Sequence, residues 1–324
     1  MKINALLQQG DWSWPFPGKM VPVLLVLILI FPFFFWGGPG YHAARSFKAL
    51  WDLGHILFFA LATFLVLHLA RQRGLDTKWR FVLALIILGT VGGILIELLQ
   101  LGAGNRSVDP WDVYRDFLGI LTGLIFCQTL PAVGRLRWCF FIVYAILFSI
   151  ALRPLAVALV DECLAERQFP ILADFETFFE QDRFQPNNRL KRTDNHARSG
   201  GHSLRVQLTT DTYSGVSLFY FPHTWEGYDQ LHFSVYNPGR EELQLHCRVH
   251  DRWHKEHGQR YEDRFNQSLR LYPGWNDYTI SLLSVRQSPS GREMDMNAIE
   301  SFALFVVRQD RSRVLYLDHI FLSR

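Results

Sequence analysis

Long apolar runs dominate the first half of the chain, whereas short runs of alternating apolar and polar residues dominate the second half. A membrane-spanning helix needs about 20 mostly apolar residues. Five stretches approach this length, at about 20–38, 51–70, 81–103, 113–131 and 138–160. The pattern predicts an all-α transmembrane bundle of about five helices over residues 20–160.

From about residue 170 the runs become short and β-branched or alternating, and turn residues separate them. Asn237-Pro238-Gly239 and Tyr272-Pro273-Gly274 place Pro and Gly where turns require them. The candidate strands are 204–208, 216–221, 230–236, 243–250, 268–271, 276–281, 301–307 and 314–321. About eight strands predict an all-β jelly-roll sandwich over residues 161–324.

The charges in the loops predict an orientation. Trp12 and Trp14 suit a membrane interface, and no small-residue cleavage site follows the first helix, which favours a retained helix over a signal peptide. Cytoplasmic loops are enriched in Lys and Arg. One side holds Lys2, Lys19, Arg71, Arg73, Lys78, Arg80, Arg135 and Arg137, and the other holds Arg45, Lys48, Arg106 and Arg115. This predicts an inner-membrane protein with residues 1–19 in the cytoplasm and, after five crossings, a periplasmic or extracellular second half.

Composition adds two constraints. The net charge is only +3 and the basic residues are spread along the chain, which argues against nucleic acid as a partner. Of four cysteines, Cys127 and Cys139 fall in apolar segments. A disulfide between Cys163 and Cys247 is compatible with the sequence but not implied by it.

Polar residues inside spanning helices are costly and therefore mark candidate sites. Asp52 and His55 share a face at the start of the second helix, and Glu97 and Gln100 share a face at the end of the third. Glycines continue these faces, so the third and fourth helices are expected to pack closely with their acids converging at the outer surface. The two stripes are Gly89, Gly93, Glu97, Gln100 and Gly104, and Asp109, Asp112, Asp116, Gly119 and Gly123.

Arg106 is the expected partner for the excess of carboxylates, because its planar guanidinium can hold two acid groups or a phosphate. His55 could carry a proton near neutral pH. Asp109 and Arg115, taken singly, fit ordinary helix-end charges. Taken together, the polar residues are compatible with a catalytic site or with a structural salt-bridge network. The set comprises Asp52, His55, Glu97, Gln100, Arg106, Asp112 and Asp116.

The ordered polar residues also carry a family resemblance. They run Asp52-x-x-His55, Glu97-x-x-Gln100 and Arg106-x-x-Asp109-x-x-Asp112-x-x-x-Asp116-x-x-Gly119-x-x-x-Gly123. This order resembles the signature of the VanZ-like family of bacterial membrane proteins, over about residues 45–130. That family usually has Asn at the position of Asp116. The resemblance implies a membrane protein of the cell envelope but no particular reaction.

A second resemblance covers most of residues 170–324. Its markers are Asp174-Phe175-Glu176, Ser199-Gly200-Gly201-His202-Ser203-Leu204, Gly227-Tyr228-Asp229-Gln230-Leu231, Pro273-Gly274-Trp275-Asn276 and Leu315-Tyr316-Leu317-Asp318. They are similar to those of galactose-binding-like jelly rolls, the fold of many carbohydrate-binding modules. In such domains a structural calcium often lies between the first and last strands, which would involve Asp174 or Glu176 with Asp318; a turn cap is the alternative for Asp318.

The densest polar and aromatic cluster of the chain lies between two predicted strands. Sugar sites pair exposed rings with acids, amides and Arg, and all of these types occur here. The candidate ligand-binding residues are His250, Asp251, Trp253, His254, Tyr261, Asp263, Arg264 and Asn266, with Trp225 as an added stacking surface.

Three alternatives compete for this cluster. His250, His254 and His257 could bind a transition metal. Asp251, Glu262 and Asp263 could supply a glycosidase acid pair. The third alternative is a solvated loop without a ligand.

The sequence therefore leaves three functions open. The chain could present a carbohydrate-binding jelly roll that recognises a cell-surface glycan or an envelope precursor. It could instead be a membrane enzyme that acts on a lipid-linked or glycan substrate through Asp52, His55, Glu97 and Arg106. In the third case the helices serve only as an anchor.

Overall fold

The computed structural model describes residues 18–75, 77–102, 109–127, 135–186 and 189–324. The chain divides into two compact units. The helical unit contains residues up to 40 together with 47–154, and the sandwich unit contains 41–46 together with 155–324. The predicted fold class, apolar helices followed by a β-sandwich, is confirmed.

Apolar helices form most of the first half. They are α1 Val21–Ile30, continued by a 3-10 turn at Phe31–Phe34, α2 Arg45–Asp52, α3 Gly54–Gln72, α4 Trp79–Gly102, α5 Pro110–Phe126 and α6 Arg135–Gln168. Within the described ranges, three helical segments are long and apolar enough to cross a membrane: Arg45–Gln72, Trp79–Leu101 and Trp138–Gln168. These segments indicate that the chain is integrated in a membrane.

Two predicted crossings are shorter than expected. The segment Val21–Phe34 is a short apolar helix, and α5 has 17 residues. The five crossings are therefore not established. The orientation stays a prediction. It depends partly on Lys2 and on the side chains of Lys19, Arg135 and Arg137, and these lie outside the described part of the chain. Trp12 and Trp14 lie outside it as well.

Local chemistry fixes where α5 begins. Asp109 is its N-cap, and the Asp109 carboxylate accepts a hydrogen bond of 3.0 Å from the Trp111 amide. Pro110 occupies the first turn, where its missing amide hydrogen costs nothing. Asp112 follows near the positive end of the helix dipole. These residues place the acidic side chains of α5 at its N-terminal end.

Glycines set the helix spacing, partly as predicted. Gly89 of α4 faces Ile120 of α5, and Gly93 faces Asp116, so α4 and α5 do pack through the stripe on α4. The glycines of the α5 stripe face a different helix. A Cβ at Gly119 would lie 2.6 Å from the Ile56 carbonyl oxygen, so this glycine allows α5 to approach α3 rather than α4.

The sandwich contains eleven strands in the described residues. They are β1 Ile171–Ala173, β2 Phe184–Gln185, β3 Leu190–Thr193, β4 Ser203–Leu208, β5 Tyr213–Leu218, β6 Gln230–Asn237, β7 Leu243–Asp251, β8 Phe265–Leu271, β9 Gly274–Ser281, β10 Ile299–Val307 and β11 Arg313–Ser323. All eight predicted strands are present. The three that the pattern missed, β1 to β3, have only two to four residues each.

Two antiparallel sheets face each other. One has the order β3-β4-β11-β6-β9, with β1 added to β11, and the other has the order β2-β5-β10-β7-β8. Side chains alternate between the core and the outer face: in β10, Phe302, Leu304 and Val306 belong to the core, and Ala303 and Phe305 lie on the outer face. The outer face of the five-stranded sheet is thereby available for a site.

Both cysteines considered for a disulfide are free. Cys247 is buried in the sandwich core, whereas Cys163 is exposed on α6. Burial raises the pKa of the Cys247 thiol well above its usual range. Cys247 therefore acts as a small apolar core residue.

Candidate functional site

A cleft lies on the outer face of the five-stranded sheet. Antiparallel pairing aligns Ser217 of β5, Ala303 of β10 and Arg248 of β7 in one row. The next row aligns Gly215, Phe305 and His246. The cleft has a volume of about 430 Å³ and is lined by Gln185, Pro186, Tyr213, Gly215, Ser217, Arg248, Arg264, Ala303 and Phe305.

Aromatic rings form part of the floor and one wall. Gly215 pairs with Phe305, and a Cβ at Gly215 would collide with the β10 backbone and with the Phe305 side chain. The Tyr213 ring, 69% exposed, meets the Phe305 ring edge-on at 6.0 Å. His246 stacks on the other side of Phe305 at 5.4 Å. The cleft thus offers flat apolar surface that stays accessible to a ligand.

Two arginines in the cleft have no counter-charge among the described residues. The Nε atoms of Arg248 and Arg264 are buried and have no hydrogen-bond partner. Their guanidinium groups lie over rings instead, Arg248 at 6.0 Å from the Phe305 centroid and Arg264 at 5.3 Å from the Tyr261 centroid. Burial lowers the pKa of both arginines, and neither pKa is raised by a neighbouring carboxylate.

Buried histidines border the arginines. Burial, followed by the charge of Arg248, lowers the pKa of His250 to about 3, so this ring is neutral at physiological pH. Burial and then Arg264 also lower the pKa of His254. His257 instead stacks on Trp253 at 3.6 Å. Among the described residues these three histidines do not form a group of potential metal ligands, so the geometry does not favour the alternative of a histidine metal site.

The acids of the predicted cluster are held by one arginine. Arg292 donates to Asp251 Oδ2 and to Asp263 Oδ1, each at 2.6 Å, from the loop that precedes β10. Asp251 also accepts a hydrogen bond of 3.0 Å from the His254 amide and caps α7, Arg252–Glu256. Burial opposes ionisation of Asp251, but the hydrogen bonds from Arg292 outweigh it and lower the pKa of Asp251. Asp251 and Asp263 therefore belong to an ion-pair network, which does not favour the alternative of a glycosidase acid pair.

The remaining predicted ligand residues separate into two groups. Trp225 is fully buried in the sandwich core, so its expected role as a stacking surface is wrong. Trp253 is 51% exposed but does not line the cleft. Asn266 donates to the carbonyl oxygens of Tyr261 at 3.1 Å and Arg264 at 3.2 Å. It therefore fixes the turn that places Arg264 and the 64% exposed Tyr261 together.

Sequence reasoning missed the centre of the cleft. Arg248 and Phe305 occupy outer positions between core residues of β7 and β10, and Tyr213 begins β5. Their alternation with core residues was visible in the sequence. Their proximity depends on the order β5-β10-β7, which the sequence pattern does not give.

The predicted calcium ligands hold a loop instead. Glu176 Oε1 accepts from the Gly201 amide at 2.8 Å, and Asp318 Oδ2 accepts from the Ser199 amide at 3.0 Å. Asp174 accepts from the Glu176 amide at 3.3 Å. Since backbone donors occupy these oxygens, and since the three acids do not form a ligand group among the described residues, the geometry gives calcium no support.

A second polar cluster lies between α3, α4 and α5. His55 Nδ1 lies 2.8 Å from Asp116 Oδ1, and His55 Nε2 lies 3.6 Å from Asp112 Oδ2. Gly93 makes room for Asp116, because a Cβ there would collide with the Asp116 carboxylate. The structure thus brings three of the predicted residues together.

Glu97 and Gln100 extend this cluster along α4. Glu97 Oε2 accepts from the Asp109 amide at 3.1 Å, whereas the buried Oε1 has no hydrogen-bond partner. Gln100 donates to the Phe34 carbonyl oxygen at 2.7 Å and so supports the chain after α1. The ligand atoms of His55, Glu97 and Asp112 lie within 4.8 Å of one another.

The cation that joins these acids is Arg115. Its guanidinium pairs with Asp112, and also lies 3.5 Å from Asp52 Oδ2 and 3.6 Å from Asp109 Oδ2. Sequence reasoning treated Arg115 as an ordinary helix-end residue. Its spacing of three from Asp112 was the available signal. Arg106, the predicted partner, lies outside the described residues.

No family model matches the chain, and no curated protein matches it. The VanZ-like resemblance therefore remains a prediction.

Solved structures with a related sandwich were found. The family 11 carbohydrate-binding module from Clostridium thermocellum, in complex with a β-1,3-1,4-mixed-linked tetrasaccharide, is 16% identical, with 47% of this chain and 94% of that chain covered and a TM-score of 0.35. An agarase is 14% identical over 47% of this chain and 26% of its own, with a TM-score of 0.36. A glycoside hydrolase domain of Endo-D from Streptococcus pneumoniae is 14% identical, with 42% of this chain and 20% of that chain covered and a TM-score of 0.30. The C-terminal sandwich resembles family 11 carbohydrate-binding modules.

Proposed function

We propose that the sandwich unit binds an acidic glycan in the cleft of its five-stranded sheet and that the apolar helices tether it to a membrane. The observation that carries this proposal is the pair Arg248 and Arg264, two half-buried cations without a carboxylate partner among the described residues, beside accessible rings. An anion that enters the cleft would gain charge-assisted hydrogen bonds, each contributing about 1.5–3 kcal/mol.

The rings favour a sugar over a simple anion. Pyranose rings have apolar faces that pack on aromatic side chains, and Tyr213 and Phe305 supply such a surface. Ser217 and Gln185 add neutral hydrogen-bonding groups to the lining, which suit sugar hydroxyls. A glycan that bears carboxylate, sulfate or phosphate groups satisfies both parts of the cleft.

The test uses the full chain in nanodiscs of zwitterionic lipid on an array of neutral and acidic glycans. We expect retention on acidic glycans, and we expect Arg248→Gln and Arg264→Gln each to weaken it about tenfold or more. Arg311→Gln is the matched control, because it removes the same charge from an exposed loop residue that pairs with Glu241 at 2.7 Å.

The outcomes separate the two parts of the proposal. Retention that is equal on neutral and acidic glycans would support glycan binding and refute the acidic preference. No retention across the array would refute the function as a whole. Raised ionic strength should weaken wild-type retention more than that of the arginine variants, because salt screens the attraction between the half-buried arginines and an acidic glycan.

The buried pair His55 and Asp116 favours a second candidate function. A histidine that is hydrogen-bonded to a carboxylate at 2.8 Å is the usual arrangement of a general base. In this function the helical unit would be a membrane enzyme that acts on a lipid-linked or glycan substrate. Glu97→Gln or His55→Ala should then abolish a cellular phenotype at unchanged protein level and membrane insertion, and an unchanged phenotype would refute it.

A VanZ-like helical unit and an outward-facing sandwich are part of the same proposal. Support comes from the ordered polar residues of α3 to α5 and from the basic residues between α3 and α4. Protease treatment of intact and permeabilised cells tests the orientation. Digestion of the sandwich only after the inner membrane is permeabilised would reverse it.

A further inference from the structure

We propose that His55, Glu97 and Asp112 form a binding site for one divalent transition-metal cation within the helical unit. The three residues come from α3, α4 and α5, and their ligand atoms lie within 4.8 Å of one another. Ligand atoms arranged tetrahedrally around a zinc ion with bonds of about 2.0–2.2 Å are separated by roughly 3.3–3.6 Å. Side-chain movements of about 1 Å would therefore close the site.

The hydrogen bond of His55 selects its free nitrogen. With Asp116 ionised and His55 neutral, Asp116 Oδ1 accepts the Nδ1 hydrogen across an N···O distance of 2.8 Å, and Nε2, 3.6 Å from Asp112 Oδ2, keeps its lone pair. A lone pair and a carboxylate oxygen repel each other unless a proton or a metal ion lies between them. Carboxylate-oriented histidines of this kind are the usual ligands of metal ions in proteins.

Glu97 provides an independent observation. Its side chain is 2% exposed, and Oε1 has no hydrogen-bond partner although Oε2 is bound by the Asp109 amide. A buried carboxylate oxygen without a partner carries a desolvation cost of about 1–3 kcal/mol or more. A cation that accepts Oε1 as a ligand removes this cost.

The local charge also favours a cation. Five carboxylates belong to the cluster, from Asp52, Glu97, Asp109, Asp112 and Asp116, and Arg115 is the described guanidinium that pairs with them. Arg115 contacts Asp112 through Oδ1 and leaves Oδ2 facing His55. One nitrogen and two carboxylate ligands suit borderline ions such as Zn²⁺ or Mn²⁺ better than Ca²⁺ or Mg²⁺, which prefer oxygen ligands. This site does not depend on glycan binding by the sandwich.

The experiment uses the full chain without a polyhistidine tag, purified in micelles, stripped with a chelator and titrated with Zn²⁺. We expect one zinc ion per chain that depends on His55, and we expect Glu97→Gln and His55→Gln to weaken its binding at least tenfold. His68→Gln is the matched control, since His68 lies on the same helix and contacts Gln72 rather than the cluster. Asp116→Asn should weaken binding about 10- to 100-fold, because Asp116 orients a ligand without being one.

Co²⁺ gives a second readout that does not depend on how well the variants fold. The wild-type chain should develop the visible absorption of Co²⁺ bound by nitrogen and oxygen ligands, and one equivalent of Zn²⁺ should displace it. Absence of this band and of stoichiometric zinc in the wild type would overturn the proposal and leave a doubly protonated His55 between Asp112 and Asp116. Equal zinc binding by wild type and Glu97→Gln would overturn it as well.

Discussion

The cleft of the sandwich and the polar cluster of the helices are opposites in charge. In the cleft, Arg248 and Arg264 lack carboxylate partners among the described residues, whereas in the helical cluster Glu97 Oε1 lacks a donor. Both regions also contain ion pairs that are complete, namely Arg292 with Asp251 and Arg115 with Asp112. In our proposals the complete pairs stabilise the fold, and the groups without a partner bind a ligand.

The largest expected effect comes from breaking a complete pair. Arg292→Met leaves the buried Asp251 carboxylate without its partner, which should cost about 3–5 kcal/mol of stability. Arg248→Met removes a partly buried cation that has no partner and should be neutral or stabilising. Hydrogen exchange of the β7 and β10 amides in the full chain measures both. Equal destabilisation by the two substitutions would contradict the difference between paired and unpaired arginines.

A smaller effect is expected from the glycines of α4. A Cβ at Gly93 collides with the Asp116 carboxylate, whereas a Cβ at Gly92 meets no atom within 4 Å. Gly93→Ala should cost about 1–3 kcal/mol and displace Asp116 from His55. Gly92→Ala should be neutral or slightly stabilising, because Ala favours helix more than Gly does. Thermal unfolding of the helical unit, followed in the full chain in micelles, compares the two variants. Identical midpoints would contradict the close contact between Gly93 and Asp116.

The pH dependence of the sandwich should reflect His250. Its pKa is about 3 in the folded chain, against about 6.5 in the unfolded chain. Between these values the unfolded state binds more protons, so stability falls as the pH drops from about 6.5 towards 3. His250→Gln should reduce this loss by roughly 1 kcal/mol or more. The measurement is the midpoint of thermal unfolding, followed by the β-sheet infrared band, for the wild type and His250→Gln between about pH 6.5 and 3. If the two midpoints fall in parallel as the pH drops, His250 does not cause the loss of stability.

The smallest effect is expected from Trp253. Its ring stacks on His257 outside the cleft, so Trp253→Ala should leave glycan affinity unchanged within about twofold. Tyr213→Ala should weaken binding several-fold, since aromatic contacts contribute about 0.5–1.5 kcal/mol beyond burial. Surface plasmon resonance of both variants on the glycan that binds the wild type compares them. If Trp253→Ala weakens binding more than Tyr213→Ala does, the glycan binds at α7 and not in the cleft.

The two regions also differ in how far the sequence predicts them. A spacing of three residues predicted that Asp52 lies near His55 and that Glu97 and Gln100 share a face of α4, so much of the helical cluster was foreseeable. The cleft is assembled across β5, β10 and β7, and strand order is not encoded in local periodicity. The density of polar residues at 250–266 therefore favoured Asp251 and Asp263, which form structural ion pairs. Arg248 and Phe305 lie outside that segment and were missed. Arg292 was missed for the same reason, as it lies 41 positions from Asp251.

One measurement tests the central claim most directly. Isothermal titration of the full chain in zwitterionic nanodiscs compares an oligosaccharide of uronic acids with its neutral carboxyl-reduced counterpart, for the wild type and for the double variant Arg248→Gln, Arg264→Gln. The unpartnered arginines predict at least tenfold tighter binding of the acidic sugar by the wild type and loss of that preference in the double variant. Equal affinity of the wild type for both sugars, or an unchanged preference in the double variant, would contradict it.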